Sequence, residues 1–388
     1  MAATCSLALA QQDSTSSLQS KINATASTNG VLNLAAGTYS YTRLNISGKT
    51  HLTINGNGNV TLKELGDQGS AVTIESSPGL TINGVIFNHN SHNGNVLDIT
   101  SNNVTINGCT FMNVGDGIAP DINVGIYLAP ESDDALIENN TFETFKTAGS
   151  SAVRGVYVEN YRNPSVASQR TTITKNQFIN FTGGVDQDGV VIDQQGLASN
   201  SVVSNNTFTN VMKRGVKIMT NNTTVTGNTV TVTGMGVQTR SVVAIYGNTS
   251  TVENNHGVAS GCNSGCSFYA AYDLGGSNIL LQDNDVTNPA TTTDNPHNCM
   301  LIDIGETTTG DTSYSNISVV GNTCRNYTYA KIAPKTPLNS FTAMGNTFLG
   351  STSGIGFEVY PGATTNNPTI SGNTIAAGDV IISYASGN

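Results

Sequence analysis

The 388-residue chain carries a formal net charge of −10, with only 11% charged residues, 41 glycines and no tryptophan. This acidic balance removes the basic footprint that nucleic-acid binding requires, and no apolar run reaches the roughly 18 residues that span a bilayer. Abundant Gly, Thr and Asn favour short strands joined by tight turns and argue against a helical fold.

Residues 1–10 lack a basic n-region and are too short for a complete signal peptide, so they read as a start placed near a processed end. Residues 13–27 set Leu18, Ile22 and Ala26 at helical spacing after an Asp/Ser start. A short amphipathic helix is predicted there, covering apolar core and unpaired strand edges that the first coil of a stack would expose. Residues 30–39, GVLNLAAGTY, follow as a strand ending in a Gly turn.

Beyond this point a short pattern recurs. Aligned on an apolar residue followed five positions later by another, twelve copies begin at Ile54, Ile82, Ile106, Ile137, Ile173, Val203, Val225, Val252, Leu281, Val319, Ala343 and Ile370, spaced 22 to 38 residues apart. Such a period marks stacked coils and leaves no room for a second fold, so residues 31–388 form one solenoid domain of about 12 coils behind a capping segment, 1–30. Three residues into nine successive copies stands an asparagine: Asn140, Asn176, Asn206, Asn228, Asn255, Asn284, Asn322, Asn346 and Asn373. In turns stacked about 4.8 Å apart, a buried Asn bonds to those above and below and no amide is orphaned. Asn also tolerates the left-handed backbone of a sharp corner. Phe87, Phe111, Phe142, Phe178 and Phe208 are expected to stack inside in the same way.

A second pattern, Gly-apolar-x-apolar, aligns residues 125–128, 155–158, 189–192 and 215–218. Ile126, Leu128, Val156, Val158, Val190, Ile192, Val216 and Ile218 should point inward, leaving Tyr127, Tyr157, Val191 and Lys217 in one outward column and Ala129, Glu159, Asp193 and Met219 in the next. Arg154, Asp186, Asp188, Lys213 and Arg214 fall just before the pattern. Nine of the sixteen Lys and Arg residues, Arg240 being the last, lie between 146 and 240, which makes a local anion site on an acidic protein. Insertions after Met112 and after Tyr157 should rise as walls beside this face.

Of six cysteines, Cys262 and Cys266 can close a small loop with Cys5 left apart, Cys299 and Cys324 lie about one coil apart, and Cys109 replaces Asn at the ladder position as a small buried residue. No zinc spacing is present, so disulfides in an oxidising compartment are preferred. Sequons such as those at Asn45 and Asn248 arise by chance in an Asn/Thr-rich ladder.

A capping helix, the turn AAGTY, and coils of the form TINGxxF and NNTF resemble the pectin-lyase-like superfamily over nearly the whole chain. The resemblance implies a single-stranded right-handed parallel β-helix binding a long acidic or complex polysaccharide along one face, and together with the preference for disulfides the protein is expected to be secreted. The superfamily spans lyases, polygalacturonases, epimerases and phage depolymerases, so it does not transfer catalytic residues. A lyase must neutralise the uronate carboxylate, abstract the C5 proton and protonate the leaving oxygen. Arg154, Arg214 or Lys213 suit the first task and Tyr157 or Lys217 the second, with Tyr127, Asp186 and Arg240 as further substrate contacts. As outward residues, Lys217 and Arg214 should be removable without loss of stability.

Hydrolysis by two of Glu159, Asp188 and Asp193 is the runner-up. Residues 186–189 and 213–218 only faintly resemble the polygalacturonase segments. No cofactor is expected; calcium held by Asp186, Asp188 and Asp193 is a lesser reading, as is an epimerase-like site at Asp294 and His297. Asp273 and Asp303 can extend the face. An adhesive β-helix is the non-catalytic alternative, although Thr is not expected to repeat in register. The expected partner is a polysaccharide, with no nucleic acid and no membrane, and the chain is expected as a monomer or a homotrimer.

Overall fold

The computed structural model describes residues 15–66, 69–118, 122–233, 239–260, 267–289, 297–303, 312–333, 336–351, 353–360, 363–376 and 380–384. Every strand pair in register is parallel, and the pairs form a 13-stranded sheet, a 23-stranded sheet and a small 3-stranded one. Each turn of the chain adds one strand to the first sheet and two short strands to the second, which makes a parallel β-helix of about 11 turns. The twelve repeat copies occupy a single register column, from Ile54 paired with Ile82 to Ala343 paired with Ile370. The helix α1, Thr15–Ala24, drops Leu18 and Ile22 into the core at 1% and 2% exposure, so it covers the first coil as its spacing requires.

Like side chains stack inside. The Oδ1 of each ladder asparagine from Asn176 to Asn373 accepts both the backbone N–H and the Nδ2–H of the preceding one, at 2.8–3.0 Å. Its own Nδ2 also donates to a carbonyl of the preceding coil, as Asn228 does to Val203 at 2.9 Å. Cys109 stands at the end of this column as a buried free thiol, its backbone N–H donating to Asn140, and burial pushes its pKa up to about 12. The left-handed corner falls one residue earlier than expected: Asn139, Asn205 and Asn254 carry φ of 55°, 54° and 55°, while the ladder asparagines do not. The buried Asn is therefore chosen for its amide alone, and its neighbour makes the turn.

The rings of Phe87, Phe111, Phe142, Phe178 and Phe208 stack at 4.7–5.1 Å between centroids. They also explain the Gly-apolar-x-apolar pattern. A Cβ on Gly155 would lie 2.4 Å from Phe178, and one on Gly189 2.3 Å from Phe208. All eight residues expected to point inward from that pattern are in the main core cluster.

Cys299 and Cys324 form the anticipated disulfide, with Cα atoms 5.8 Å apart. Cys5, Cys262, Cys266 and Asp294 lie outside the described residues. Threonines repeat in register more than expected, as in Thr53–Thr81–Thr105 and Thr224–Thr251. Leu136, Val202 and Leu280 interrupt that column, so the array is partial.

Candidate functional site

The outer surface of the 13-stranded sheet carries the expected columns. Strands Gly94–Thr100, Asn123–Leu128, Ala152–Glu159, Asp186–Ala198 and Arg214–Asn221 lie side by side. Their register aligns Asp98, Tyr127, Tyr157, Val191 and Lys217 in one column; Val124, Arg154, Asp188 and Arg214 in a second; and Glu159, Asp193 and Met219 in a third. Arg154, Asp186, Asp188 and Arg214, which fall just before the sequence pattern, thus lie within the strands themselves.

Pointing away from the core did not leave these side chains in solvent. Tyr127, Tyr157, Glu159 and Asp193 are 8%, 6%, 1% and 5% exposed. Part of the cover is the insertion after the Ala152–Glu159 strand, which folds back over the sheet. The Tyr161 backbone N–H donates to the Glu159 carboxylate, and its hydroxyl donates to Asp193 at 2.7 Å. Arg162 donates to both oxygens of Asp98 at 2.8 and 3.2 Å and lies 4.5 Å above the Tyr127 ring. Sequence reading placed this insertion as a wall but missed Tyr161, Arg162 and Asp98. Arg162 and Asp98 are 64 residues apart, and no local spacing joins them.

The cations expected to meet substrate are largely committed to aspartates. Asp186 receives Lys213 at 2.6 Å, Arg214 at 2.8 Å and Arg154 at 3.6 Å, and the fully buried Asp188 receives Arg214 at 3.0 Å. Burial alone would raise Asp186, but Lys213, Lys217 and Arg214 outweigh it and hold the carboxyl well below its usual range. Arg214 is 3% exposed, so the expectation of a dispensable outward residue is corrected: removing it strands a buried carboxylate. Arg240 also leaves the cluster, pairing with Asp273 at 3.1 Å, and Asp273 takes a 2.7 Å hydrogen bond from Tyr246. Asp273 continues the Lys217 column, as expected. For calcium the donors do not converge, since Arg214 and Lys213 hold Asp186 and Asp188 while Tyr161 holds Asp193.

What remains open is a groove of about 580 Å3 lined by Tyr127, Arg154, Tyr157, Glu159, Tyr161 and Arg162, among others. The Arg154 guanidinium sits 3.9 Å from the centroid of Tyr157, and the Tyr127 and Tyr157 rings meet edge-on at 5.7 Å. Two strands from Tyr157, past Val191, stands half-buried Lys217. Burial drives the two groups oppositely. It raises Tyr157 despite the opposing pull of Arg154, so the phenol keeps its proton; it lowers Lys217, so the amine gives its proton up more readily. Burial likewise raises Glu159, against the hydrogen bond from Tyr161.

These features define the class of molecule, a right-handed parallel β-helix with a polar and aromatic groove on one sheet. Residues 45–230 match the family model described as a right handed beta helix region. A sequence comparison with curated proteins finds no significant match. Among solved structures, the chain is similar to a PL6 alginate lyase in complex with a trisaccharide (14% identity, 97% of this chain and 87% of that one, TM-score 0.60). It is also similar to the catalytic unit of a thermostable GH87 α-1,3-glucanase from Streptomyces thermodiastaticus (18% identity, 96% and 67%, TM-score 0.59). A third is the surface protein and adhesin PfbA of Streptococcus pneumoniae (13% identity, 96% of both chains, TM-score 0.56). At these identities the likeness is one of fold.

Proposed function

We propose that this protein is a secreted enzyme that cleaves an acidic polysaccharide by β-elimination across the Tyr157–Val191–Lys217 column. The observation that carries the reading is the placement of a phenol and an amine in one outward column, on strands whose backbones lie two spacings or about 10 Å apart, with Arg154 against the phenol. Lys217 takes the C5 proton of a uronate whose carboxylate Arg154 neutralises. The electron pair of that C–H bond becomes the C4–C5 double bond, the C4–O bond breaks, and the leaving oxygen receives the proton of Tyr157. The downward direction for Lys217 supports it as base, and the upward direction for Tyr157 argues against the phenol in that role, since a general base works best with a pKa near ambient pH. The likeness to an alginate lyase and to a glucanase supports a carbohydrate substrate, and the disulfide supports an oxidising compartment.

Hydrolysis by Glu159 and Asp193 is the second reading, favoured by their pairing on adjacent strands and by the upward shift of Glu159. Asp188, sequestered under Arg214, drops out of it. Tyr161 engages both remaining carboxylates, which places hydrolysis behind elimination. The deciding experiment incubates the protein with alginate, polygalacturonate, hyaluronan and chondroitin, and follows ultraviolet absorbance of unsaturated ends together with new reducing ends. Elimination raises both, and Lys217→Gln and Tyr157→Phe should each lower the rate by about 10²–10⁴-fold. Reducing ends without absorbance, lost in Glu159→Gln, would replace elimination by hydrolysis. Binding without either product would make the protein an adhesin-like β-helix.

A further inference from the structure

Two small apolar clusters among the described residues lie outside the main core. One is the floor of the groove, built from Val124, Tyr127, Ala129, Tyr157 and Val191. The other is Ala270, Leu301 and Ala333, on the outer surface of the same sheet near its C-terminal end. Around this second floor the chain repeats the arrangement of the first. Tyr329 and Tyr360 have ring centroids 6.1 Å apart, comparable with 5.7 Å for Tyr127 and Tyr157. The Lys331 ammonium lies 4.4 Å above Tyr360, where Arg154 lies 3.9 Å above Tyr157. Glu358 interacts with both tyrosines and neighbours Lys331 in register. Tyr269, close enough to influence the Tyr329 hydroxyl, is 45% exposed.

We infer that Tyr269, Tyr329, Lys331, Glu358 and Tyr360 form a second carbohydrate-binding platform, which holds another stretch of the polysaccharide that the groove acts on and has no catalytic role. The chemistry fits sugar rather than protein or lipid. Tyrosine offers an apolar ring face beside a polar tip, and Lys331 and Glu358 supply a donor and an acceptor whose charges balance, which suits a ring bearing hydroxyls. Position fits as well. Lys331 stands in the same outward column as Tyr157, six strands on, a separation of about 29 Å at strand spacing. Ala244 and Asp273 between them are fully buried, so the two platforms are separate sites rather than one trough. A polymer long enough to engage both gains avidity without new contacts at either, and a short oligosaccharide does not.

The inference rests on the polysaccharide reading of the groove, and its test separates the two. Affinity electrophoresis in alginate, polygalacturonate, hyaluronan and chondroitin gels compares the wild type with Tyr269→Ala and Lys331→Met, neither of which empties the core. In parallel, turnover is measured on a long polymer and on its short oligosaccharides. The expected result is a loss of about tenfold or more in polymer affinity and a matching rise in polymer KM, with turnover of short oligosaccharides unchanged. Unchanged retention and KM in both variants would overturn the platform while leaving the groove's activity standing. Retention that weakens in the variants of a protein that cleaves nothing would keep the platform and overturn the enzyme. A wild type retained by none of the four polymers overturns both.

Discussion

Inside the coils long runs of asparagine and of phenylalanine meet their own kind above and below; on the outer face of the 13-stranded sheet the columns through the groove mix residue types. The interior columns run Asn on Asn and Phe on Phe. The outer columns run Arg154, Asp188, Arg214 and Tyr157, Val191, Lys217. An amide can do this because it donates on one side and accepts on the other, and aromatic rings because offset stacking is attractive. Charges cannot, since like charges on adjacent strands repel, so any charged column must alternate sign or be diluted. The difference teaches where function can reside in a solenoid: a repeated column supports the stack, and a column that breaks the repeat is free to do chemistry.

The interior half of this comparison breaks most severely at the ladder. Asn228→Leu leaves the backbone N–H and the Nδ2 of Asn206 without their acceptor. With about 1–3 kcal/mol for each orphaned buried donor, the stability loss should be about 2–6 kcal/mol, read as a fall in urea midpoint. A variant as stable as the wild type would mean that the ladder carries no energy.

The outer half breaks next at Arg214. Removing one partner of a buried ion pair costs about 3–5 kcal/mol, so Arg214→Ala should unfold well before the wild type, whereas half-buried Lys217→Gln should keep its melting temperature. Equal melting of the two variants would erase the distinction between structural and reactive cations on this face.

The smallest effect sharpens the comparison through pH. Because burial lowers Lys217 below its ordinary value of 10.5, a rate that needs the free amine should rise with pH along a limb whose midpoint lies below that value. The sign for stability is the same. A lysine depressed in the folded state disfavours folding while protonated, so its contribution improves as pH rises through the folded pKa. Asp186 works in the opposite region: its carboxyl is held low, so its pairing is intact above the usual carboxylate range and is lost only as pH falls through the lowered folded value. A rate flat in pH through the alkaline range, or a limb that survives in Lys217→Gln, would remove Lys217 from the base role.

The sequence was a good guide to register and a poor one to exposure. Aligning Tyr127, Tyr157, Val191 and Lys217 needed only a period of two within strands and one repeat between coils, and the pairing agrees. That Glu159 and Asp193 would be covered was not visible, because the cover is a hydroxyl and an N–H of Tyr161 in an insertion with no periodicity. Arg214 was misjudged for a related reason. An outward residue in a parallel column is exposed only if its neighbours are short or mobile, and here they are aspartates held at hydrogen-bond distance.

By itself, then, the chain's pattern determined the β-helix, its capping helix, the coil count to within one, both interior ladders and the one-coil spacing that allows Cys299 and Cys324 to bridge. The coils and ladders follow from repetition, which is written in sequence, and the helix from the local spacing of Leu18 and Ile22. Tertiary structure alone decided which outward charges were consumed in pairs, where Arg162 and Tyr161 close over the sheet, and that a second tyrosine platform arises near the far end. Those outcomes depend on contacts between residues dozens of positions apart, whose energies turn on burial and distance rather than on any local spacing.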